Sequence, residues 1–342
     1  MSARDPLLTS RKAFAAFFCG LLLVLAASPA VGESATIVSR RIEHFNPASD
    51  QTVFGKLEFL GGLDLTSSDS LFGAWSSIRF RPDGKRFIGV LDTGDWISGE
   101  IIRDEKGRLA GIGNVSLAPM LDREGRSHVS KRAMDAESLA IRGDKIYVGF
   151  EQRHRIDQYP LDGFETAKPE KSLPLPFPFP FPKKVLESNR SLEMLTASPA
   201  QGLLAGGLVT ITEESLDAKG NLYAGVVDGP HPGGFKLVRR DDFDVTDGAW
   251  LPDGDLLLLE RRFRFPSGLG MRIVRVKGDS IKPGALVDGE ILLDADQSFQ
   301  IDNMEGLDVV DMGNGDLRLI LVSDDNHFML QRTLMLEFRL LP

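Results

Sequence analysis

Five short segments of this chain repeat one order of residue types. In each segment an acidic or small polar residue opens an apolar run, a tight turn follows, and a second apolar run usually ends in a carboxylate. The opening residues are Ser77, Glu137, Glu193, Asp247 and Glu305, at steps of 60, 56, 54 and 58 residues. Because a single hairpin cannot bury its own apolar face, a hairpin that recurs at such a period predicts an all-β fold of stacked blades, a β-propeller.

Turn residues between the two apolar runs support the hairpins. Asp83-Gly84, Asp253-Gly254 and Asn314-Gly315 are pairs that reach positive φ at low steric cost and close antiparallel strands. The five repeats therefore predict five blades.

The number of blades and the closure of the ring depend on segments outside the repeats. Residues 214–223 resemble residues 137–147, so six blades are the alternative, but they begin only 21 residues after the third opening residue, which favours an outer hairpin of blade 3. Strand-like residues 37–45 and 53–65 precede the first repeat, and residues 333–341 follow the last. We expect these end segments to pair within one blade and close the ring, since closure removes exposed sheet edges.

Carboxylates are expected to converge at one mouth of the central channel. The start of the first strand and the end of the second lie at the same edge of an antiparallel hairpin. The hairpins should thus bring together Glu137 with Glu151, Asp247 with Glu260, and Glu305 with Asp324 and Asp325.

Such acids predict a metal site. Ca²⁺ takes about six to eight oxygen ligands in irregular geometry, which carboxylates from several blades can supply. The candidate ligands are Glu137, Glu193, Asp247, Glu260, Glu305, Asp324 and Asp325. The alternative is structural, with each acid capping a hairpin or pairing with a basic residue of a neighbouring blade.

Basic residues follow several of these acids. Arg153, His154, Arg261 and Arg262 lie at the same predicted rim and are candidate substrate ligands, since guanidinium groups bind phosphate with two hydrogen bonds. Successive side chains of a strand alternate in direction, so Arg262 rather than Arg261 is expected to share the face of Glu260. Salt bridges between blades would use the same residue types.

Glu137, Glu305 and His327 are the candidate catalytic residues, because carboxylates and an imidazole beside a metal can activate water and transfer protons. Other catalytic patterns are absent from the sequence: there is no Gly-x-Ser-x-Gly elbow, no His-Glu-x-x-His and no phosphate-binding Gly-rich loop.

The amino-terminal residues predict export. Arg4, Arg11 and Lys12 precede an apolar stretch at 13–27, and small residues follow, which is typical of a secretory signal peptide over 1–32. The alternative is an uncleaved anchor, although the apolar stretch is shorter than the ~20 residues of a spanning helix. Residues 33–342 are then expected to form one propeller domain in the periplasm or outside the cell.

Composition excludes several classes of function. The net charge of −9 disfavours nucleic acid and anionic membranes as partners. The single cysteine, Cys19, lies in the predicted signal peptide, so the mature chain would have neither disulfides nor thiol chemistry. We expect a monomer that does not bind membranes after cleavage of the signal.

Four stretches resemble the bacterial family called "esterase-like activity of phytase", or phytase-like domain proteins. They are residues 134–140, 243–263, 302–308 and 321–328, and the matches spread over about 57–338. The resemblance implies an exported propeller-type protein and, through the family's name, activity on esters. Gly206 and Gly207 depart from the family, which often has an acid after the second strand, so blade 3 is expected to contribute less to the ring.

These observations predict an exported hydrolase that acts on a small-molecule phosphate ester or related ester, with a divalent cation such as Ca²⁺ activating water. A non-catalytic propeller that binds a ligand or partner through the same rim is one alternative. A lactonase of the regucalcin-like type is another.

Overall fold

The computed structural model describes residues 32–127, 129–173, 175, 192–266 and 268–342. Except for Gly32, the predicted signal peptide lies outside the described residues. Within these residues no helix is long and apolar enough to span a membrane.

The described residues form 24 strands and three short helices. In chain order the strands are β1 (Glu33–Ala35), β2 (Ile37–Ile42), β3 (Val53–Phe54), β4 (Leu57–Ser67), β5 (Trp75–Phe80), β6 (Arg86–Leu91), β7 (Asp95–Arg103), β8 (Leu109–Pro119), β9 (Ala136–Arg142), β10 (Lys145–Phe150), β11 (Arg155–Pro160), β12 (Lys171–Leu173), β13 (Met194–Ala197), β14 (Leu208–Leu216), β15 (Leu222–Val226), β16 (Gly233–Leu237), β17 (Asp244–Trp250), β18 (Leu256–Arg264), β19 (Gly268–Val276), β20 (Leu286–Val287), β21 (Gly289–Asp296), β22 (Asn303–Asp311), β23 (Leu317–Asp324) and β24 (Thr333–Leu340). The helices are α1 (Lys131–Met134) and the 3-10 turns Phe164–Thr166 and Gly278–Ser280.

Five sheets form the five blades of a propeller, as the repeats predict. From the centre outward, blade 1 is β5-β6-β7-β8-β1, blade 2 is β9-β10-β11-β12, blade 3 is β13-β14-β15-β16-β20, and blade 4 is β17-β18-β19-β21. Blade 5 is β22-β23-β24-β4-β2, with β3 beside β4. The five innermost strands contact one another in a closed ring around the channel. The alternative of six blades is wrong, because residues 214–223 belong to the β14–β15 hairpin of blade 3.

Strands from the two ends of the described region close the ring within blade 5. The carboxyl-terminal β24 pairs with β23 on one side and with the amino-terminal β4 on the other, where Leu340 lies opposite Leu57. The predicted closure is confirmed.

The hydrophobic core lies between the blades. Five clusters of buried side chains in the described residues each join two neighbouring blades. Strand β18 shows the reason: Leu257 and Leu259 pack toward blade 5, whereas Leu256 and Leu258 pack toward blade 3. Because both faces of a blade are buried, its strands have nearly continuous apolar runs, and a charge inside a strand needs a partner, as Glu337 of β24 has in Arg103.

Turns with glycine in the left-handed region join the first and second strands of the blades. Gly84 has φ of 63° and Gly254 has φ of 91°. Blade 3 differs from the sequence prediction, because Leu203 and Leu204 belong to a long turn and the second strand begins at Leu208.

Candidate functional site

One position of the second strand carries a polar side chain toward the channel mouth in every blade. The pairing registers of the first two strands, continued to the mouth in blades 1, 2 and 3, make five residues equivalent, and all five line one pocket: Asp92, Glu151, Glu213, Arg261 and Asp324. We call these five residues the mouth ring. Each follows directly on buried strand residues, so the fold brings charges from five distant parts of the sequence together.

A second set of acids comes from the innermost strands. The pairing registers shift at Ser76, Glu137, Thr246 and Glu305, which are equivalent bulge residues in blades 1, 2, 4 and 5. A β-bulge re-aims the side chain of the extra residue, and the bulged Glu137 and Glu305 both line the pocket. Glu193, which directly precedes β13, takes the corresponding place in blade 3.

The resulting pocket is small and strongly acidic. It has a volume of about 190 Å³ and contains eight carboxylates but only two cationic side chains. Its lining consists of Asp92, Lys131, Asp135, Glu137, Glu151, Gln152, Glu193, Glu213, Arg261, Asn303, Glu305, Asp324 and Asn326.

Blade 2 supplies the part of the pocket that could hold an ion. Oxygen atoms of Asp135, Glu137 and Glu151 all lie within 4.8 Å of one another. Gln152 donates to Asp135 Oδ2 at 2.5 Å, whereas the buried Asp135 Oδ1 has no hydrogen-bond partner among the described residues. Lys131 Nζ, which bonds Asp92, lies 3.7 Å from this oxygen. A set of hard oxygen donors with one atom unsatisfied fits a divalent cation such as Ca²⁺.

Arg261 organises the opposite side of the pocket. Its guanidinium donates to Glu213 Oε1 at 3.0 Å, lies 3.2 Å from Glu305 Oε1, and also bonds Asn303 Oδ1. Asn303 Nδ2 donates to Glu305 Oε1 at 2.9 Å and lies 3.5 Å from Asp324 Oδ2. One arginine of blade 4 thus connects acids of blades 3 and 5.

Burial and mutual repulsion favour the protonated forms of the pocket acids. Burial raises the pKa of Glu137 well above its ordinary value, and the nearby Asp135 and Glu151 raise it further. Burial likewise raises the pKa of Glu193, again with help from Glu137 and Glu151. A bound cation would reverse this effect, since it favours the charged carboxylates.

The acids beside Arg261 also have raised pKa values. Burial raises the pKa of Glu305 to about 8 and that of Glu213 to about 7, although the charge of Arg261 opposes both shifts. Burial also raises the pKa of Asp324 to about 6.

These shifts predict that the metal-free protein loses stability as the pH rises. Glu305 and Glu213 hold protons more tightly in the folded chain than in the unfolded chain, where glutamate has a pKa of about 4.3. Their contribution is therefore fully present below about pH 4 and disappears as the pH rises through about 7 to 8. In the presence of a chelator we expect the melting temperature to fall by several degrees between about pH 5 and 8.

Calorimetric scans at a series of pH values measure this slope. The double variant Glu213→Gln with Glu305→Gln removes two of the groups with raised pKa values and should make the slope smaller, whereas Glu137, Glu193 and Asp324 still contribute to it. Asp217 shows the opposite behaviour in the same protein. The hydrogen bond from Lys236 lowers its pKa, so its titration changes the stability only below this pH window. A wild-type melting temperature that rises over the same range would contradict the expectation.

Asp247 does not line the pocket, contrary to the sequence prediction. Its carboxylate accepts hydrogen bonds from Arg79 at 2.7 and 2.8 Å, and from Ser77 Oγ and the Leu307 N–H at 3.0 Å each. The sequence pattern aligned Asp247 with Glu137, but the bulge at Thr246 shifts the register by one residue, so Asp247 faces the buried channel.

The Arg79–Asp247 pair fastens the inner strands together, and we call it the channel staple. Arg79 also donates to the carbonyl groups of Ile78, Leu195 and Leu307 at 2.6 to 2.9 Å and of Gly248 at 3.2 Å. These carbonyls belong to β5, β13, β22 and β17, so one buried guanidinium contacts four of the five blades.

Blade 4 presents Arg261 rather than Glu260 to the pocket. Glu260 lies opposite Arg272 in β19, and burial raises its pKa to about 7. Arg262 does alternate with Arg261 as predicted, but it covers the ring of Phe243 at 4.5 Å and bonds the Asp241 carbonyl outside the pocket. Contrary to the sequence prediction, neither Glu260 nor Arg262 lines the pocket.

The remaining predicted residues lie around the pocket rather than in it. Asp325 accepts hydrogen bonds from Ala74 N, His327 N and Thr333 Oγ1, so it organises its loop. His327 is exposed, and Arg153 lines a neighbouring cavity of about 390 Å³. His154 does not line the pocket either.

Several pocket residues had no role in the sequence prediction. Glu213 is the acid of blade 3 that the sequence pattern does not identify. The second strand of blade 3 starts at Leu208, so Gly206 and Gly207 lie in the turn before it and not after its end. Asp92 ends the second strand of the first repeat, so its place in the repeat could have identified it. Lys131 is the first residue of the short helix α1 before β9 and carries no sequence signal.

The family of the chain follows from comparison with known proteins. The model of the Phytase-like family, described as "esterase-like activity of phytase", matches residues 70–327. The chain belongs to this family. The match spans every residue that lines the pocket of this phytase-like propeller.

Similar solved structures have low sequence identity. The PQQ-bound aldose sugar dehydrogenase of Streptomyces coelicolor is 14% identical, with 92% of this chain and 99% of that chain covered and a TM-score of 0.41. The α-L-arabinofuranosidase PaAbf62A of Podospora anserina is 11% identical, with 85% and 98% covered and a TM-score of 0.49. No curated protein sequence matches this phytase-like chain.

Proposed function

We propose that this phytase-like propeller is an exported hydrolase that uses a divalent cation, Ca²⁺ in the first place, to cleave a phosphate ester or a related small-molecule ester. The observation that carries the proposal is the group of Asp135, Glu137 and Glu151, with its unsatisfied buried oxygen, in the pocket that all five blades build. Family membership supports activity on esters.

A cation held by these three acids would polarise the ester oxygen and lower the pKa of a bound water. The hydrogen bond from Gln152 orients the Asp135 carboxylate, and the β-bulge sets the direction of the Glu137 side chain. Glu305, which Asn303 and Arg261 orient, is positioned to exchange a proton with the reacting groups, and burial raises its pKa to about 8 in the metal-free protein.

Arg261 and Lys131 favour an anionic ester over a neutral one. They are the two cationic side chains of the pocket, and they lie on opposite sides of it, beside Glu305 and beside Asp92 respectively. A phosphoryl group between them would accept charge-assisted hydrogen bonds that strengthen as negative charge develops.

A non-catalytic binding propeller is the second candidate, and the contacts of Arg261 favour it. An arginine that already bonds Glu213 and Asn303 neutralises part of the pocket, as in a purely structural site. The raised pKa values of Glu137 and Glu193 favour the enzyme, because strongly shifted carboxylates in a pocket are typical of functional sites.

The test is a screen of the purified protein, with and without added Ca²⁺, against phosphomonoesters, phosphodiesters, carboxylic esters and lactones. We expect cation-dependent hydrolysis of a phosphate ester. Arg261→Lys should lower kcat/KM by about tenfold or more, since an ammonium group cannot reproduce the guanidinium fork. The matched variant Arg262→Lys should retain activity.

Each other result of the screen has a clear meaning. Hydrolysis of lactones alone would favour the regucalcin-like alternative. Binding of Ca²⁺ without hydrolysis of any substrate would favour the non-catalytic propeller.

A further inference from the structure

The pocket is too small to enclose a whole substrate. Its volume of about 190 Å³ lies below the ~300–1,000 Å³ of ordinary small-molecule sites. Only the reacting ester group fits between the acids, so the remainder of the substrate lies over the mouth. The surface next to the mouth therefore decides which esters bind.

Large apolar side chains are exposed beside the mouth on blades 4 and 5. Among the described residues the four most exposed ones are Phe265 and Met329 at 91%, Phe263 at 79% and Leu330 at 78%. Phe328 is 53% exposed. We call these five residues the apolar lip. Concentrated exposure of this kind marks a binding surface, whereas scattered exposed residues need no explanation.

The lip continues directly from the pocket. Phe263 follows Arg261 by two residues on β18, which places it about 7 Å further along the same face of the strand. Phe328 follows the pocket residue Asn326 by two residues in the loop after β23.

The two loops of the lip contact one shared segment, the connection between β21 and β22. A Cβ built on Gly268 would lie 2.0 Å from Gln297 Oε1, so the blade 4 hairpin touches this segment. In blade 5, Arg332 donates to Gln300 Oε1 at 2.8 Å and to the Ile301 carbonyl at 3.0 Å. The loops that carry the exposed side chains are therefore joined through this one connection.

The rim on the side of blade 2 has the opposite character. There Lys131 and Gln152 line the pocket, and Arg153 follows directly. The mouth is thus apolar on one side and polar on the other.

We propose that the apolar lip binds a hydrocarbon or aryl group attached to the ester, so that the substrate is an amphiphilic ester. The proposal rests on the proposed function of the pocket. A substrate with charged groups on every side, such as a ring bearing many phosphates, would place charges next to the five apolar side chains. An alkyl or aryl group there instead removes apolar surface from water on both partners.

The experiment compares alkyl phosphates of increasing chain length, from methyl to octyl, with the wild type and with the double variant Phe265→Ser, Met329→Ser. Wild-type kcat/KM should rise at least about tenfold from methyl to octyl phosphate. The double variant should lose this rise while its kcat/KM for methyl phosphate stays unchanged. Val38→Ser is the matched control, since Val38 is 63% exposed on β2, away from the mouth.

A second measurement separates the lip from the chemistry. Calorimetric binding of octylphosphonate, which cannot be hydrolysed, should be at least about tenfold tighter than that of methylphosphonate in the wild type and equal in the double variant. If no ester is hydrolysed but this difference persists, the proposed function fails and the lip proposal stands.

The proposal would be overturned if the length of the alkyl chain changed neither kcat/KM nor phosphonate binding. An unchanged chain-length effect in the double variant would overturn it too. Cosedimentation with phosphatidylcholine vesicles that the double variant loses, with no chain-length effect, would assign the lip to a lipid surface instead.

Discussion

Replacing Glu137 and Glu151 together by Gln should abolish the stabilisation that Ca²⁺ gives the protein, and with it any cation-dependent hydrolysis. A ligand that binds only the folded state stabilises it by mass action, by about 4 kcal/mol when its concentration is a thousand times its Kd. We therefore expect the wild-type melting temperature to rise by several degrees with Ca²⁺. The double variant retains only the Asp135 carboxylate of the three-acid group, so its melting temperature should not respond. Calorimetric scans with chelator and with increasing Ca²⁺ measure both.

Glu260→Gln is the matched control for this experiment. Glu260 is also a buried acid in a second strand, directly before the pocket residue Arg261, and burial raises its pKa to about 7, but it lies outside the pocket. The control variant should keep the full response to Ca²⁺. A response that persists in the double variant would place the cation away from Glu137 and Glu151.

Removing one partner of the channel staple should destabilise the fold strongly. Asp247→Asn removes the carboxylate that bonds the buried Arg79 guanidinium and leaves Asp308 as its acidic neighbour, and breaking a buried ion pair in this way costs about 3–5 kcal/mol. Guanidinium chloride unfolding of the wild type and the variant gives the difference in their free energies of unfolding, provided that both proteins have the same m value. We expect the midpoint concentration to fall accordingly.

Two further variants define the origin of this loss. Asp83→Asn breaks the exposed pair with Arg86 and should cost less than about 1 kcal/mol. The double variant Arg79→Met, Asp247→Leu removes both charges of the pair but also leaves four carbonyls without the Arg79 donor, so it should recover only part of the stability that Asp247→Asn loses. If Asp247→Asn costs no more than Asp83→Asn, the staple does not stabilise the ring.

The architecture could be predicted from the sequence because its signals are local. Apolar runs and turns that contain glycine recur with each blade, and Gly84 and Gly254 adopt the positive φ that the turns require. The strand pairing that closes blade 5 followed from general reasoning about sheet edges.

The candidate site was only partly predictable, because one residue of register changes the direction of a side chain. The bulge at Thr246 leaves no mark in the sequence, yet it moves Asp247 into the buried channel. In the same blade the mouth position falls on Arg261 instead of Glu260. Glu213 could not be predicted for a different reason. The turn of blade 3 is longer than its glycines suggest, so the end of its second strand lies further along the chain than the pattern predicts.

The pairing of β4 with β24 has a consequence for how the chain folds. The four central strands of blades 1, 2 and 3 are consecutive in sequence, so each of these blades can form from local contacts. Blade 5 instead requires Leu57 to meet Leu340, which closes a loop through nearly the whole described chain. Contacts of such sequence separation slow folding, because the entropy of loop closure is lost before they form. Blade 5 should therefore set the folding rate.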